Sequence, residues 1–337
     1  MTTTAVAVVF PAAGEVALEA PSLPSPGPGE IACEAVLSLI SAGTELTCLR
    51  GEFEPNTFWA EWVQYPFAPG YSMVSRVTSV GDGVTGFAPG DRVFSFTPHA
   101  SQFVMPADEA IALPDDVTDE QACWTSLAIT TQWAVRRADV RFGESVGVVG
   151  VGLLGQLLVR WLRTAGAARI VAIDTDAPRL AIAAAGGASE TVLGRVDEAL
   201  AADDHALNGA LDVVFDVTGR PAALADATRL LRPLGRLVLV GDSPTPSQQR
   251  LGPRVVADGI SIIGIHANTA PPVADPNAPW SAAAMAALFH RFAADGRMDP
   301  SALLARRIHP SDAPDHYRHA LEHATGELGV FIDWQRT

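Results

Sequence analysis

The sequence predicts an α/β protein that combines a β-rich domain with a doubly wound parallel sheet. Three observations lead to this prediction: short β-rich runs separated by turn residues in the first third, a regular alternation of strand and helix patterns over residues 145–265, and a glycine motif between the first strand and the first helix of that alternation. At 337 residues the chain is also long enough for two domains.

Four runs in the first third are typical of β-strands. The segments between them are rich in Gly, Pro, Asp and Ser, which favour turns. The predicted strands cover residues 5–10, 30–39, 71–80 and 91–96, and the turn segments cover residues 21–29, 80–90 and 97–101. Many short strands with such turns indicate an antiparallel, barrel-like domain.

The pattern changes after a helix predicted over residues 119–138. Apolar strands now alternate with helices, which indicates βαβ units and a parallel sheet. The predicted strands are 145–150, 169–174, 212–216, 236–241 and 260–265, and the predicted helices are 153–165, 178–186 and 221–232. From about residue 267 the chain returns to loops, a helix at 281–294 and short strands. We therefore predict domains at 1–126 and 127–266, with residues 267–337 completing the first domain.

The charged residues exclude several kinds of chemistry. All 23 residues counted as Lys+Arg are arginines, so the protein has no P-loop lysine, no Schiff-base lysine and no Tyr-x-x-x-Lys pair. With 38 acidic residues the formal net charge is −15, which disfavours nucleic acid and anionic membranes as partners. We expect a small-molecule substrate instead.

The cysteines and the first segment exclude some structures and bear on where the protein works. Cys33, Cys48 and Cys123 are too few and too scattered for a disulfide framework or a four-cysteine zinc site. The first 20 residues lack the basic region of a secretion signal. We therefore expect a cytoplasmic protein.

A G-x-G-x-x-G motif follows the strand that ends near residue 149. Gly150 permits a tight turn, Gly152 lets the backbone approach a diphosphate, and Gly155 allows close packing of helix and strand. Leu153 and Leu154 open the helix, whose N-terminus would face the phosphates. The motif in this context predicts a dinucleotide site.

An acidic residue at the end of the next strand supports the same site. Asp174 lies about 20 residues after the motif, where a carboxylate accepts hydrogen bonds from the adenosine ribose. Thr175 and Asp176 follow it, and the acidic pair would repel a 2′-phosphate. We therefore predict NAD(H) rather than NADP(H), although Arg179 is close enough in sequence to reach such a phosphate.

The β-rich domain, the GDGVTGFAPGDRVF segment at 81–94 and the glycine motif together resemble the medium-chain dehydrogenase/reductase superfamily, whose best-known members are zinc alcohol dehydrogenases. The resemblance implies a GroES-like first domain, a Rossmann second domain and an active site in the cleft between them. It also implies that Thr218 lies near the nicotinamide, Arg220 near the adenine, and Val240 with Gly241 near the carboxamide.

The positions that bind zinc in that superfamily carry other residues here. Ala42 replaces a cysteine, Tyr71 replaces a histidine, and Thr125 stands at the third ligand position. The cysteine cluster of the structural zinc site is missing as well. Because zinc needs three N, S or O ligands and one open position, we predict that the protein binds no catalytic zinc.

Without zinc, side chains must handle the hydroxyl proton of an alcohol substrate. The candidates are Thr44, Glu45, Tyr71 and His99, and each has a structural alternative. Thr44 could cap a helix, Glu45 could sit at a helix N-terminus, Tyr71 could pack in the barrel, and His99 could be a turn residue. His266 is a further candidate. The remaining histidines considered, which we expect to be solvated, are His290, His309, His316, His319 and His323.

Aromatic residues cluster in the segment 53–67, where the superfamily has a loop beside the substrate entrance. They are Phe58, Trp59, Trp62 and Tyr65, and Trp124 precedes the third vacated ligand position. An aromatic surface suits a bulky or ring-shaped substrate, and the alternative is a small aromatic core under a long loop.

Short motifs also resemble a sub-group of the superfamily that includes bacteriochlorophyllide dehydrogenase-like proteins and oxidoreductases of secondary metabolism. They are the Ser-Ala-Gly-Thr-Glu run at 41–45, Gly-Tyr-Ser at 70–72 and Pro-His-Ala at 98–100. These motifs identify no substrate.

Taken with the resemblance, these features predict a zinc-independent, NAD-dependent dehydrogenase that interconverts a secondary alcohol and a ketone. The substrate classes considered are bulky alcohols, polyols, cyclitols and secondary metabolites. The alternatives are a quinone or enoyl reductase and a non-catalytic NAD-binding protein. The apolar run at 260–265 is a candidate edge strand, from which we expect a homodimer.

Overall fold

The computed structural model describes residues 5–202, 206–271, 273–275, 279–323 and 327–336. The elements of the first third are β1 (Ala7–Val9), β2 (Ala17–Glu19), β3 (Glu30–Ile40), α1 (Ala42–Arg50), α2 (Phe58–Trp62), β4 (Met73–Val80), β5 (Arg92–Ser95), β6 (Gln102–Pro106) and β7 (Ile111–Ala112). The middle of the chain forms α3 (Asp119–Ala122), α4 (Thr125–Arg137), β8 (Ser145–Val149), α5 (Leu153–Ala165), β9 (Arg169–Asp174), α6 (Ala177–Gly186), β10 (Glu190–Leu193), α7 (Val196–Ala202), β11 (Leu211–Asp216), α8 (Pro221–Arg229), β12 (Leu231–Leu239) and β13 (Ser261–Gly264). The last segment forms α9 (Ala282–Ala294), β14 (Arg306–Ile308), α10 (Ala313–Glu322) and β15 (Val330–Asp333).

The helices are short. The longest labelled ones, α4, α5 and α9, have 13 residues each. Within the described ranges, no helix has both the length and the apolar character needed to cross a bilayer.

The second sheet has six strands, all parallel, in the order β10-β9-β8-β11-β12-β13. The chain starts at β8 in the middle, builds outward through β9 and β10, and then returns to β11 on the other side of β8. Strand order therefore reverses between β8 and β11, where open α/β sheets bind their ligands. The central strands are buried because helices cover both faces, as the burial of Val148 and Phe215 shows.

The first sheet has seven strands in the order β14-β15-β3-β4-β5-β7, with β6 also pairing with β3. All pairings are antiparallel except β14 with β15. Its core includes Ile31, Val77 and Phe103. The fold class predicted from sequence, a β-rich GroES-like domain with a doubly wound Rossmann sheet, is therefore confirmed.

Two local predictions differ from the structure, and some elements were not predicted. The helix predicted over 119–138 is split into α3 and α4, because the chain turns at Cys123 and Trp124. The strand predicted from residue 236 begins at Leu231, after a shorter α8. The sequence reading missed β10 and α7. The strand β10 lies at the sheet edge and is mostly exposed, so it lacks the apolar run that marked the central strands.

The chain divides into two compact units. One contains the residues up to Ser126 and those from Ala286 onward, and the other is Leu127–Met285. The predicted boundary at residue 266 differs from this division, since residues 267–285 group with the second unit. Side chains of α4 hold them there: the Trp133 indole donates to Thr269 Oγ1 (3.0 Å), and the Arg136 guanidinium lies 3.3 Å from the centre of the Trp280 ring.

Candidate active site

A buried carboxylate organises the first unit around α1. Glu45 is only 1% exposed. Its Oε1 accepts the backbone N–H of Ser41 (2.8 Å), so the carboxylate closes the first turn of α1 from inside the helix. Its Oε2 accepts the Tyr317 hydroxyl from α10 and lies 3.2 Å from His99 Nε2. Glu45 therefore joins α1, α10 and the loop before β6.

His99 is fully buried and engaged on both sides of its ring. Besides Glu45, its Nδ1 lies 2.8 Å from Ser38 Oγ, which also accepts the Trp334 indole N–H (3.0 Å). The imidazole packs on Gly70, where an added Cβ would lie 2.8 Å from the ring. The sequence reading took His99 and Glu45 as candidates for direct contact with substrate. The structure places both inside the unit, where they have almost no surface to offer.

Three hydroxyls meet at Tyr71, the residue that the resemblance to the superfamily assigns to a zinc-ligand position. The Tyr71 hydroxyl lies 2.6 Å from Ser41 Oγ and 3.2 Å from Thr44 Oγ1. A phenol has one proton, so Tyr71 donates to one of them and accepts from the other. Tyr71 and Thr44 are partly exposed, whereas Ser41 is buried. We call Ser41, Thr44 and Tyr71 the hydroxyl cluster.

The phenol in the hydroxyl cluster has a raised pKa. Burial raises the pKa of the Tyr71 phenol to about 12, although hydrogen bonding with Ser41 and Thr44 opposes the rise. The phenol therefore stays protonated. Sequence reasoning missed Ser41; its only signal is that a serine stands directly before α1, where serine usually caps a helix.

The three vacated zinc positions do not offer a zinc site. The side chain of Ala42 has no donor atom, and the protonated phenol of Tyr71 is a poor ligand. Thr125 is fully buried, donates to the Ala122 carbonyl (2.7 Å) and lies 2.8 Å from His290 Nε2. Across the described part of the chain, no group of three or more His, Cys, Asp or Glu side chains is placed to hold a metal ion. These residues do not fit zinc.

Two histidines expected to be solvated are buried. His290 pairs with Thr125, and burial lowers its pKa to about 4. His316 lies beside Arg306, and burial also lowers its pKa. His309 caps a short turn, and His319 and His323 stack on each other at 4.7 Å. His266 caps a turn as well, because its Nδ1 accepts the Asn268 N–H (3.2 Å).

The glycine motif lies at the end of β8, where the strand order reverses. Gly150 has a positive φ of 87°, and a Cβ there would lie 2.9 Å from Thr218 Cγ2. A Cβ on Gly155 would lie 2.1 Å from the Gly150 carbonyl oxygen, so only glycine lets α5 pack this closely on the turn. A Cβ on Gly152, in contrast, would meet no heavy atom within 4 Å among the described residues. Gly152 thus borders open space.

That open space adjoins the N-terminus of α5. Gly152 is the N-cap residue, and the described structure shows no side-chain capping bond to this helix end. The N–H groups of the first turn, which includes Leu153 and Leu154, are therefore free of a capping side chain and carry the positive end of the helix dipole. A diphosphate of a dinucleotide fits this arrangement.

The acidic residues after β9 lie against the same turn. Asp174 accepts the Val151 N–H (2.7 Å) and the Asp176 N–H (3.0 Å). Asp176 in turn caps α6 by accepting the Arg179 N–H (2.9 Å), and Thr175 between the two acids is exposed. Two carboxylates therefore lie in the loop after β9, beside the glycine turn.

A second loop joins the glycine turn at the end of β11. Asp216 is buried and accepts both the N–H (2.9 Å) and the hydroxyl (2.7 Å) of Thr218. Burial raises the pKa of Asp216, and these hydrogen bonds oppose the rise. Arg220 is exposed at the start of α8, and its N–H donates to Thr218 Oγ1 (3.1 Å). Sequence reasoning missed Asp216, although an acidic residue closing an apolar strand was a visible signal.

The end of β12 completes this edge of the sheet. Val240 and Gly241 both donate their N–H groups to the Asp216 carbonyl, at 2.9 and 3.1 Å. A Cβ on Gly241 would lie 2.4 Å from the Gly219 nitrogen, so the two loops touch. The structure thus brings together the predicted cofactor residues after β8, β11 and β12.

The aromatic segment of the first unit has an inner and an outer side. Trp59 is buried in the core, and Tyr65 donates to the Cys48 carbonyl (2.5 Å). Phe58 and Trp62 stack at 5.6 Å and are 39% and 38% exposed. Trp124 is fully buried, so it belongs to the core and not to a substrate surface.

Comparison with known proteins agrees with this dinucleotide-binding architecture. Residues 40–115 match the model of the alcohol dehydrogenase GroES-like domain, and residues 154–283 match that of the zinc-binding dehydrogenase family. A Mycobacterium tuberculosis protein named probable zinc-binding alcohol dehydrogenase is 31% identical over 265 residues, which cover 70% of this chain and 67% of that protein.

Other relatives have different names. The (R,R)-butanediol dehydrogenase of Bacillus subtilis is 27% identical over 52% of this chain and 58% of its own length. The acryloyl-coenzyme A reductase of Metallosphaera sedula is 28% identical over 72% of this chain and 78% of its own length. A crystal structure from Sinorhizobium meliloti, described as a zinc-binding dehydrogenase bound to NADP, shares the fold with a TM-score of 0.81 at 22% identity, covering 98% of this chain and 100% of that chain.

The relatives in sequence define the chain as an oxidoreductase related to alcohol dehydrogenases. The chain belongs to the zinc-binding alcohol dehydrogenase family of the medium-chain dehydrogenase/reductase superfamily.

The glycine turn gives the first prediction. Gly155→Ala should lower the free energy of unfolding by about 2 kcal/mol or more, because the new Cβ would overlap the Gly150 carbonyl oxygen. Gly152→Ala should leave stability within about 0.5 kcal/mol but weaken NADH binding, because its methyl group enters the space assigned to the diphosphate. Chemical denaturation and NADH titration test both. A stable Gly155→Ala variant, or unchanged binding by Gly152→Ala, would contradict these assignments.

The buried histidine gives the second prediction. The folded-state pKa of His290 is about 4, below its ordinary value of 6.5, so the folded state binds fewer protons. The stability held by neutral His290 is complete above pH 6.5 and is lost as the pH falls toward 4. Between pH 7.5 and pH 5 the free energy of unfolding of the wild type should fall by about 2 kcal/mol more than that of the His290→Gln variant. Equal losses in urea denaturation of both proteins would rule this out.

Proposed function

We propose that the protein is a zinc-independent, NAD-dependent dehydrogenase that interconverts a secondary alcohol and a ketone. The observation that carries the proposal is the hydroxyl cluster, which stands where the family has a zinc ligand and presents partly exposed Tyr71 and Thr44. Bound NAD would supply or accept the hydride. The chain itself must then stabilise and neutralise the negative charge that develops on the substrate oxygen.

Tyr71 can neutralise the negative charge on the substrate oxygen by acting as a general acid. An alkoxide is a stronger base than a phenolate, even one whose pKa is raised to about 12, so proton transfer from Tyr71 to the oxygen is downhill. Thr44 lies 3.2 Å from the phenol oxygen and can return a proton to it from solvent, since Thr44 is itself partly exposed. In alcohol oxidation the same groups carry the proton in the opposite direction. No lysine is available for this role.

The acidic residues after β9 support NAD(H) as the cofactor. Asp174 and Asp176 place two carboxylates at the ribose end of the site, where a 2′-phosphate would be repelled. The exposed Phe58 and Trp62 rings support a bulky or ring-bearing substrate, because they offer a flat apolar surface.

The relative named acryloyl-coenzyme A reductase favours a second candidate function, reduction of an activated double bond in an enoyl or quinone substrate. There Tyr71 would protonate the enolate that follows hydride addition. A non-catalytic NAD-binding protein is the third outcome that the experiment below distinguishes.

We also propose a cytoplasmic homodimer that acts on a small molecule, without nucleic acid or membrane partners. The net charge of −15 supports the absence of anionic partners. The strand β13 supports the dimer, because it forms one edge of the parallel sheet and exposes Ile262. Such an edge can pair with its copy across a two-fold axis.

The function is tested with purified protein, NADH and NADPH, and panels of ketones, secondary alcohols, polyols, cyclitols, enones and quinones. We expect ketone reduction with NADH, little metal by elemental analysis, and activity that survives chelators. Tyr71→Phe should lower kcat about 100-fold or more, because it removes the general acid. Reduction should remain level up to about pH 10, since the pKa of Tyr71 is about 12.

Tyr65→Phe is the matched control. It also removes the phenol hydroxyl of a partly exposed tyrosine of the first unit, but the hydrogen bond of Tyr65 goes to the Cys48 carbonyl. Turnover only of enones or quinones would favour the second candidate. NADH binding without any turnover would favour a binding protein, and stoichiometric zinc would refute zinc independence.

The dimer is tested by light scattering coupled to gel filtration. The chain mass is 35.3 kDa, and we expect the wild type at twice this value. Ile262→Asp should shift it to the monomer, because a charge would be buried at the paired edge. Leu193→Asp, at the exposed opposite edge in β10, should leave the dimer intact. A monomeric wild type, or dissociation by Leu193→Asp alone, would contradict the assignment.

A further inference from the structure

We infer that Glu45, held in place by His99 and Tyr317, is a positioning residue that sets the geometry of the hydroxyl cluster. This inference rests on the proposed function, because it concerns the groups that would transfer the proton. It gives Glu45 and His99 a role in the reaction without contact to substrate.

The first step is the unusual use of Ser41. This residue is the N-cap of α1, and a serine there usually accepts an N–H of the first turn with its hydroxyl. In the described structure Ser41 makes no side-chain capping bond, and its hydroxyl meets Tyr71 at 2.6 Å. The hydrogen bond at this end of the helix comes from Glu45 instead, since its Oε1 accepts the Ser41 N–H. The carboxylate thus orients Ser41 while its hydroxyl remains engaged with Tyr71.

The second step is the rigidity of Glu45 itself. Its other oxygen accepts the Tyr317 hydroxyl and faces His99 Nε2. His99 is fixed in turn by Ser38, and it packs on Gly70, the residue directly before Tyr71. The same buried group of side chains therefore holds both Ser41 and the backbone that carries Tyr71.

The third step separates positioning from proton relay. Glu45 bonds the backbone N–H of Ser41, whereas Tyr71 bonds its hydroxyl. An amide N–H does not pass a proton at neutral pH, so the carboxylate is not the next member of the hydroxyl chain. Its effect on the reaction must come through geometry, and small misplacements of reacting groups can cost large factors in rate.

The test is a double-mutant cycle on kcat with the full-length protein and the best ketone substrate. Glu45→Gln keeps the size of the side chain but replaces one accepting oxygen with an NH2 group, which donates hydrogen bonds. This change disturbs the contacts with Tyr317 and His99. Tyr317→Phe removes one bond to Glu45 and keeps the ring that packs edge-on against Phe10 at 5.2 Å. Each should lower kcat about 10-fold or more and leave KM and the NADH dissociation constant within about 2-fold.

The decisive readout is non-additivity. In the Tyr71→Phe background, Glu45→Gln and Tyr317→Phe should have almost no further effect on kcat, because their influence runs through Tyr71. His316→Gln is the matched control, since His316 is a buried polar residue next to Tyr317 on α10. It should lower the melting temperature and leave kcat unchanged.

The outcomes separate the two proposals. If Tyr71→Phe itself keeps full activity, the proposed proton donor is wrong. If Tyr71→Phe loses activity but Glu45→Gln and Tyr317→Phe act with the same factor in both backgrounds, or have no effect, only the positioning role is overturned. Should Glu45→Gln fail to fold, Tyr317→Phe completes the cycle, because it removes a single hydroxyl.

Discussion

The first unit is organised around one buried carboxylate that has to be satisfied. Removing Glu45 from water would be costly without compensating bonds. The Ser41 N–H bonds one carboxylate oxygen, and the Tyr317 hydroxyl bonds the other, which His99 also faces. These partners come from α1, α10 and the loop before β6. The hydrogen bonds to this carboxylate therefore join segments that are distant in sequence, since Glu45 and Tyr317 are 272 residues apart.

The residues that the resemblance assigns to zinc-ligand positions form hydrogen bonds within the protein instead of leaving open positions. Tyr71 meets Ser41 and Thr44, and Thr125 meets His290 and the Ala122 carbonyl. In the proposed function, the protonated phenol of Tyr71 takes the place of the metal that stabilises the alkoxide in zinc-dependent alcohol dehydrogenases. The proposed chemistry changes from Lewis acid to general acid, while the dinucleotide-binding sheet retains its glycine turn.

Much of the second unit could be predicted because its signals are local. The bounds of α5 and β9 match the sequence prediction, since apolar periodicity and the residues at their ends lie within a short window. The glycines of the motif could also be predicted to allow a tight turn and close packing, because a glycine has no Cβ to clash with neighbouring atoms. In contrast, β10 is an exposed edge strand without such periodicity, and Asp216 gains its role only by bonding Thr218.

The sequence by itself determined the fold class and the glycine turn with its acidic neighbour, and it predicts residues other than zinc ligands at three positions. These depend on residue type and spacing along the chain. Only the tertiary structure decided that Glu45 and His99 are buried and that Ser41 joins Tyr71. It also decided that His290 lies in the core beside Thr125. Burial and hydrogen bonding between distant segments depend on how the elements pack. A local sequence pattern does not indicate which polar residues are buried with a hydrogen-bond partner and which are exposed to solvent.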